Sequence, residues 1–330
     1  MLNNLINNKR KNESDIKIIY KNDLDFPPLL REINDLPEKL YVKGNIKKLL
    51  EMSQENSEGK ILCVVGARKY SNYGKEAIEQ LISGLKGYNI CIVSGLALGI
   101  DSIAHRAALE AGLYTVSFPG SGLDSSVLYP TMHSRLAEEI VEAGGALLSE
   151  FELLQRGADW TFPKRNRLMA GISHAVLVVE AELKSGTLIT SKYAVDYNRD
   201  VGAIPGQIFS PLSAGPHMLI RLGATPITCA DDILELLGFE RKDSIKNGVD
   251  KDGINRDKND KQNTLDLDNL RFRNLGENEK KILKSLHIES KNKDALAREL
   301  NIDARLVNTL ISSLELEGFV KEEMGVVRRV

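Results

Sequence analysis

Cysteine is scarce in this chain. Three occur in 330 residues, at Cys63, Cys91 and Cys229, and none belongs to a Cys-x-x-Cys pair. That excludes a disulfide framework and a thiolate metal site, and it suits buried thiols in a reducing cytosol. Aromatic residues make up only 5%, with Trp160 the sole tryptophan. No apolar run approaches the ~20 residues needed to cross a bilayer. The start, Met1-Leu2-Asn3-Asn4, lacks the basic-then-apolar layout of a secretory signal, so a cytoplasmic location is expected. Excess positive charge is missing as well. Lys and Arg total 44 against 46 Asp and Glu, a net charge of −2. A histone-like protein that coats nucleic acid by bulk attraction is therefore excluded, and any anion site has to be local.

What the chain does have is strand–helix alternation. Short β-branched apolar runs recur at 61–65, 90–94, 114–118, 146–149, 175–179 and 201–204. Unbroken runs of this kind are strands covered on both faces. Helix-length segments separate them at 75–85, 100–111, 134–143 and 190–198, and a last helix, 230–237, ends at Gly238. The pattern predicts an α/β fold, an extended Rossmann-like, doubly wound parallel sheet over residues 60–238. Residues 1–59 read as a tail and short extension, with a strand at 16–20 and proline punctuation at Pro27, Pro28 and Pro37. Residues 239–276 are rich in Lys, Asp and Asn with hardly any apolar periodicity, which predicts a disordered linker. In 277–330 three helical stretches precede two short apolar pairs, Phe319-Val320 and Val326-Val327, that flank Met324-Gly325. That layout predicts a helix-turn-helix with a hairpin wing, a winged-helix domain.

Four Gly/Ser-rich turns, each pressed against an apolar run, form the distinctive feature: Val65-Gly66-Ala67-Arg68, Ser94 to Asp101, Pro119-Gly120-Ser121-Gly122 and Ser185-Gly186-Thr187-Leu188. Turns that enter helices present backbone N–H groups to anions. Arg68 follows a strand end, where open α/β sheets bind ligands. Spacing alone leaves open whether it caps a loop instead. Ser94 to Asp101 lacks the Gly-x-Gly-x-x-Gly dinucleotide spacing, so tight strand-to-helix packing and phosphate contact both remain open. Asp101 is expected to cap the following helix and to hydrogen-bond His105 four residues on. Between the last two turns, Trp160 to Arg167 interleaves Trp160 and Phe162 with Lys164, Arg165 and Arg167. Aromatic and basic residues together suit single-stranded nucleic acid, in which bases stack while cations track the backbone.

Read in order, these segments resemble the DNA-processing protein A family, called DprA or Smf. The resemblance rests on Val64 to Gly74, Val93 to His105, Gly120 to Asp124 with Tyr129-Pro130, Phe162 to Ser173, Val179 to Thr190, Pro205-Gly206 and Leu219 to Ala224, with Ala67 standing where threonine is usual. It implies binding of single-stranded DNA during natural transformation, loading of the recombinase RecA, and a homodimer with neither nucleotide cofactor nor catalytic turnover. It implies that Arg68, Lys69, Lys164, Arg165, Arg167 and Lys192 neutralise phosphates. Gly66, Ser94, Gly95, Gly120, Ser121, Ser185, Gly186 and Thr187 would supply backbone or hydroxyl donors, and Phe162 or Trp160 would stack a base. Two other readings compete. One is a nucleotide-cleaving phosphoribohydrolase of the Lonely Guy kind, against which Thr190 fills the position of the catalytic glutamate. The other is a winged-helix regulator of duplex DNA, against which residues 277–330 carry ten cations and ten anions.

Overall fold

The computed structural model describes residues 16–239, 277–286, 291–300, 302–316, 319–323 and 326–329. They fall in two compact units divided near residue 246. In the first, nine strands make one sheet: β1 (Ile16–Tyr20), β2 (Lys39–Gly44), β3 (Lys60–Val65), β4 (Ile90–Ser94), β5 (Tyr114–Ser117), β6 (Ala146–Ser149), β7 (Ala175–Val178), β8 (Asp200–Ala203) and β9 (Thr225–Pro226). Their spatial order is β1-β2-β6-β5-β4-β3-β7-β8-β9. From β6 to β9 every pairing is parallel, whereas β1 and β2 add an antiparallel edge. Within residues 16–59, β1 and β2 thus form the rim of the same sheet.

Alternation of side chains along the strands builds two apolar layers. In β3, Ile61, Cys63 and Val65 join one layer, and Leu62 and Val64 the other. The second layer is covered by the helices α2 (Asn72–Gly84), α3 (Ile100–Glu110) and α8 (Ala230–Leu236), which contribute Ile78, Ile103 and Ile233. The first takes Leu49 and Met52 of α1 (Lys47–Met52), Leu168 and Met169 of α5 (Thr161–Ile172) and Ala194 of α6 (Thr187–Asp196). Two further helices are α4 (Ser134–Glu142) and α7 (Ala214–Arg221). Both faces of the sheet are covered, which is why its strands read as unbroken apolar runs. Cys63 and Cys91 are buried in β3 and β4, but Cys229 is exposed just before α8. No helix among the described residues is long and apolar enough to cross a membrane.

The path of the chain locates a crevice. It runs outward from β3 through β4, β5 and β6, then returns to the other side of β3 for β7, β8 and β9. At such a reversal the loops leaving neighbouring strands part, and ligands bind between them. The turns after β3, β4 and β7 are the Gly66, Gly95 and Ser185 turns.

The second unit holds α9 (Glu277–Leu286), α10 (Lys293–Leu300) and α11 (Ala304–Leu316). With them goes a small antiparallel sheet of β10 (Lys291–Asn292), β12 (Val326–Arg329) and β11 (Val320–Glu323), in that order. Ile282, Leu286, Leu296, Val307, Ile311 and Leu314 pack around Val320 and Val327. The tail 1–15, the expected linker beyond Phe239, Asn301, Gly318 and the Met324-Gly325 turn lie outside the described residues.

Candidate nucleic-acid interface

The crevice is a cleft of about 340 Å³ lined by Gly66, Ala67, Arg68 and Lys69 after β3, by Phe162, Arg165 and Asn166 of α5, and by Lys184 to Thr187 and Thr190 after β7. A notch beside it adds Gly95 and Tyr129. Residues from five separate stretches of sequence therefore meet at one sheet edge, with arginines and a Ser-Gly-Thr helix entrance among them.

Each of these side chains has a local reason for its position. Arg68 and Lys69 are exposed, and the Arg68 guanidinium lies over the Phe162 ring, 5.1 Å from its centroid. Phe162 is half-buried, with Tyr129 at 5.7 Å between ring centroids. Gly120 packs so closely that a Cβ there would strike the Phe162 ring. Its role is steric, and its carbonyl accepts from Thr161 Oγ1 at 2.6 Å. Thr187 Oγ1 donates to the Gly66 carbonyl at 3.1 Å, and the Thr187 amide donates to Ser185 Oγ at 3.2 Å, which ties the two turns together. Gly186 has open space above it, and its carbonyl accepts from Asn166 Nδ2 at 3.4 Å.

Beneath the cleft two opposite charges, Arg165 and Asp101, are buried. Arg165 is 4% exposed and donates to the Phe118 carbonyl. Its guanidinium fills the space a side chain at Gly95 would need, so a Cβ there would displace it. Burial lowers the Arg165 pKa, and the nearby Asp101 carboxylate opposes that shift. Burial pushes Asp101 up, while Arg165 and the amides of Ala97 and Gly95 pull it back. The Gly95 amide donates to Asp101 Oδ2 at 3.1 Å. This amide is consequently spent inside the protein.

Several expected roles change. Asp101 lies in the first turn of α3, with Gly99 at the cap position, and it holds the Gly95 turn instead of His105. His105 Nδ1 pairs with Thr115 Oγ1 at 2.7 Å. Ser94 is fully buried and donates to the Val64 carbonyl at 2.7 Å, which leaves it no phosphate to reach. Ser121 is buried too, and its hydroxyl donates to Gly122 O and accepts the Tyr129 amide hydrogen. Arg167 is 2% exposed and held between Glu150 at 2.6 Å and Asp35 at 2.9 Å. Lys164, Trp160 and Lys192 are exposed but lie outside the cleft lining. The basic segment is helical from Thr161 onward because Pro163 falls in the first turn, where no backbone N–H is needed. A helix turns Arg165 and Arg167 to different sides. Lys184 in the lining carried no signal beyond standing next to the Ser185-Gly186-Thr187 turn.

Comparison with known proteins fits this geometry. The model of the DNA recombination-mediator protein A family matches residues 17–238, the whole sheet with its helices. The chain belongs to that family. Protein Smf of Escherichia coli is 41% identical over 214 residues, which are 65% of this chain and 54% of that protein. The match thus spans about half the length of that relative. DNA processing protein A (DprA) from Streptococcus pneumoniae has a solved structure with a TM-score of 0.62 and 38% identity, covering 70% of this chain and 77% of that one. A solved structure of DNA processing protein A from Helicobacter pylori, described as giving insight into a single-stranded DNA binding mode, has a TM-score of 0.58 and 28% identity. It covers 67% of this chain and 95% of that one. These family members share the sheet on which the cleft is built.

Proposed function

We propose that this cleft grips single-stranded DNA by its phosphates. The observation that carries the reading is the meeting of Arg68, Lys69, Lys184 and the Ser185-Gly186-Thr187 turn around one 340 Å³ cleft. The surrounding residues 60–238 hold 15 cations and 18 anions, so attraction has to be focused there. Arg165, in the wall, adds positive potential without leaving the protein interior. Lys164 and Lys192 extend the positive surface beyond the cleft. The single-stranded DNA binding mode described for the Helicobacter pylori relative supports the same reading.

Family membership supports a wider role: delivery of the bound strand to the recombinase RecA, in the cytoplasm, by a binding protein that needs neither cofactor nor turnover. Thr190 lines the cleft where a phosphoribohydrolase would place its glutamate. Incubation with AMP is expected to release no adenine, and rapid release would overturn the binding reading. We read 277–330 as a winged helix whose neutral charge suits protein contact better than duplex DNA. Preference for duplex over single-stranded oligomers would reverse that assignment. Phe209 is 93% exposed, and Ile208 and Leu222 are more than three-quarters exposed, on either side of α7 in sequence. We read this apolar region as the homodimer contact, and Phe209→Asp is expected to halve the mass seen by light scattering.

The direct test is fluorescence anisotropy of a labelled oligo-dT against increasing salt. For single strands log K falls with log salt at about −0.7 per neutralised phosphate. A slope worth a few phosphates is expected. Binding that ignores salt would exclude a phosphate grip.

A further inference from the structure

Trp160 stands one residue before α5, the helix that forms one wall of the cleft. With 3.6 residues per turn, Phe162, Arg165, Asn166 and Met169 share the face that lines the cleft. Trp160 and Lys164 project from the other side. The two aromatic residues of this segment differ in what already occupies them. Phe162 has the Arg68 guanidinium over its ring at 5.1 Å, the Gly120 backbone against it and Tyr129 beside it. Trp160 is 56% exposed and meets the protein through an edge contact with Phe151, 5.7 Å between centroids. Lys164, one turn along, has a side chain 46% exposed. Its ammonium lies 6.0 Å from the Phe151 ring centroid and 3.4 Å from Glu150.

We propose that Trp160 and Lys164 form a second subsite, outside the cleft, where a nucleobase of the bound single strand stacks on the indole while a neighbouring phosphate meets the lysine. An accessible aromatic face next to a cation is the pairing that binds single strands without reading sequence. The proposal rests on the single-strand reading above. Phe162 then serves to orient Arg68, and the strand crosses the first turn of α5 to reach Trp160. A helix with side chains is about 10–12 Å across, and a stacked strand advances about 3.4 Å per nucleotide. Several nucleotides therefore separate the two subsites, and a mononucleotide fills the cleft without touching the indole.

The sole tryptophan is its own reporter. The full chain would be titrated with oligo-dT of about 12 nucleotides, within the site sizes of single-strand binding folds, with anisotropy of the labelled oligomer read in parallel. The oligomer is expected to quench the tryptophan emission, and thymidine monophosphate to leave it unchanged. Trp160→Ala should weaken oligomer binding about 5- to 150-fold, the range that one stacked base supplies. Trp160→Phe should recover most of that loss. If the labelled oligomer binds while emission stays constant and Trp160→Ala binds as tightly as the wild type, the subsite is absent though the cleft reading stands. If the oligomer does not bind at all, the cleft reading fails first. Should Trp160→Ala not fold, emission of the wild-type chain decides.

Discussion

Arg68 and Gly95 show how single residues set this site. Arg68 is exposed, and the Phe162 ring holds its guanidinium at the cleft rim. A charge-assisted hydrogen bond from this guanidinium to a phosphate would contribute about 1.5–3 kcal/mol. Arg68→Ala is therefore expected to weaken oligo-dT binding about 10- to 150-fold with the melting temperature near wild type. It should also flatten the salt dependence by about 0.7, as the loss of one phosphate contact requires. Gly95 acts from below. A Cβ there would collide with the Arg165 guanidinium. Gly95→Ala should displace Arg165 and the Asp101-held turn together, lowering both affinity and melting temperature. A Gly95→Ala protein that melts and binds like wild type would remove Arg165 from the account.

At the scale of elements, α5 decides which basic residues line the cleft and which serve the fold. Its first turn faces the cleft through Phe162 and Arg165, while Arg167 points back to Glu150 and Asp35. Asp35 belongs to the segment between β1 and β2, so Arg167 fastens the sheet rim to the helix that lines the cleft. Glu150 also reaches Lys164 at 3.4 Å. Burial raises the Glu150 pKa, and Arg167 and Lys164 counter it. Removing one partner of a buried ion pair costs about 3–5 kcal/mol. Arg167→Ala should therefore lower the melting temperature sharply, yet leave the salt slope of the folded fraction unchanged. Lys164→Ala should do the reverse, with a modest loss of affinity, since an ammonium makes a point contact rather than a fork. A reduced salt slope for folded Arg167→Ala would restore it as a phosphate contact.

For the whole molecule, acid is the sensitive direction. His174 Nδ1 accepts the Ile61 amide hydrogen at 3.0 Å, so the folded form needs a neutral ring. Burial, with Lys60 and Arg199 nearby, lowers its pKa from 6.5 to about 4. Burial with His133 nearby takes His105 to about 3. As pH falls the unfolded chain takes up these protons first. Their contribution is intact above pH 6.5 and is lost progressively between about 6.5 and 4, with His105 extending the loss towards 3. Melting curves from pH 7 to 4 should show falling stability, and His174→Gln should flatten part of that fall. An unchanged melting temperature over this range would mean that the rings are not buried as described.

The sheet was legible in sequence because its strands and helices are set by local, periodic chemistry. Apolar runs at 90–94 and 146–149 became β4 and β6 without change, and the Gly66 and Ser185 turns fell at the crevice. The start of α5 was not legible, because Pro163 reads as a helix breaker until its place in the first turn is known. Nor could the sequence distinguish Arg165 in the cleft wall, Arg167 in an ion-pair lock and Lys164 in solvent. The four-residue window 164–167 contains all three, and only helix rotation against a packed core separates them. By itself the sequence determined the α/β framework and the family, since repeated hydrophobic periods and glycine turns are fixed by backbone sterics and burial. Tertiary structure alone decided which cations remain open to a phosphate, because that depends on which carboxylates and carbonyls distant segments bring within reach.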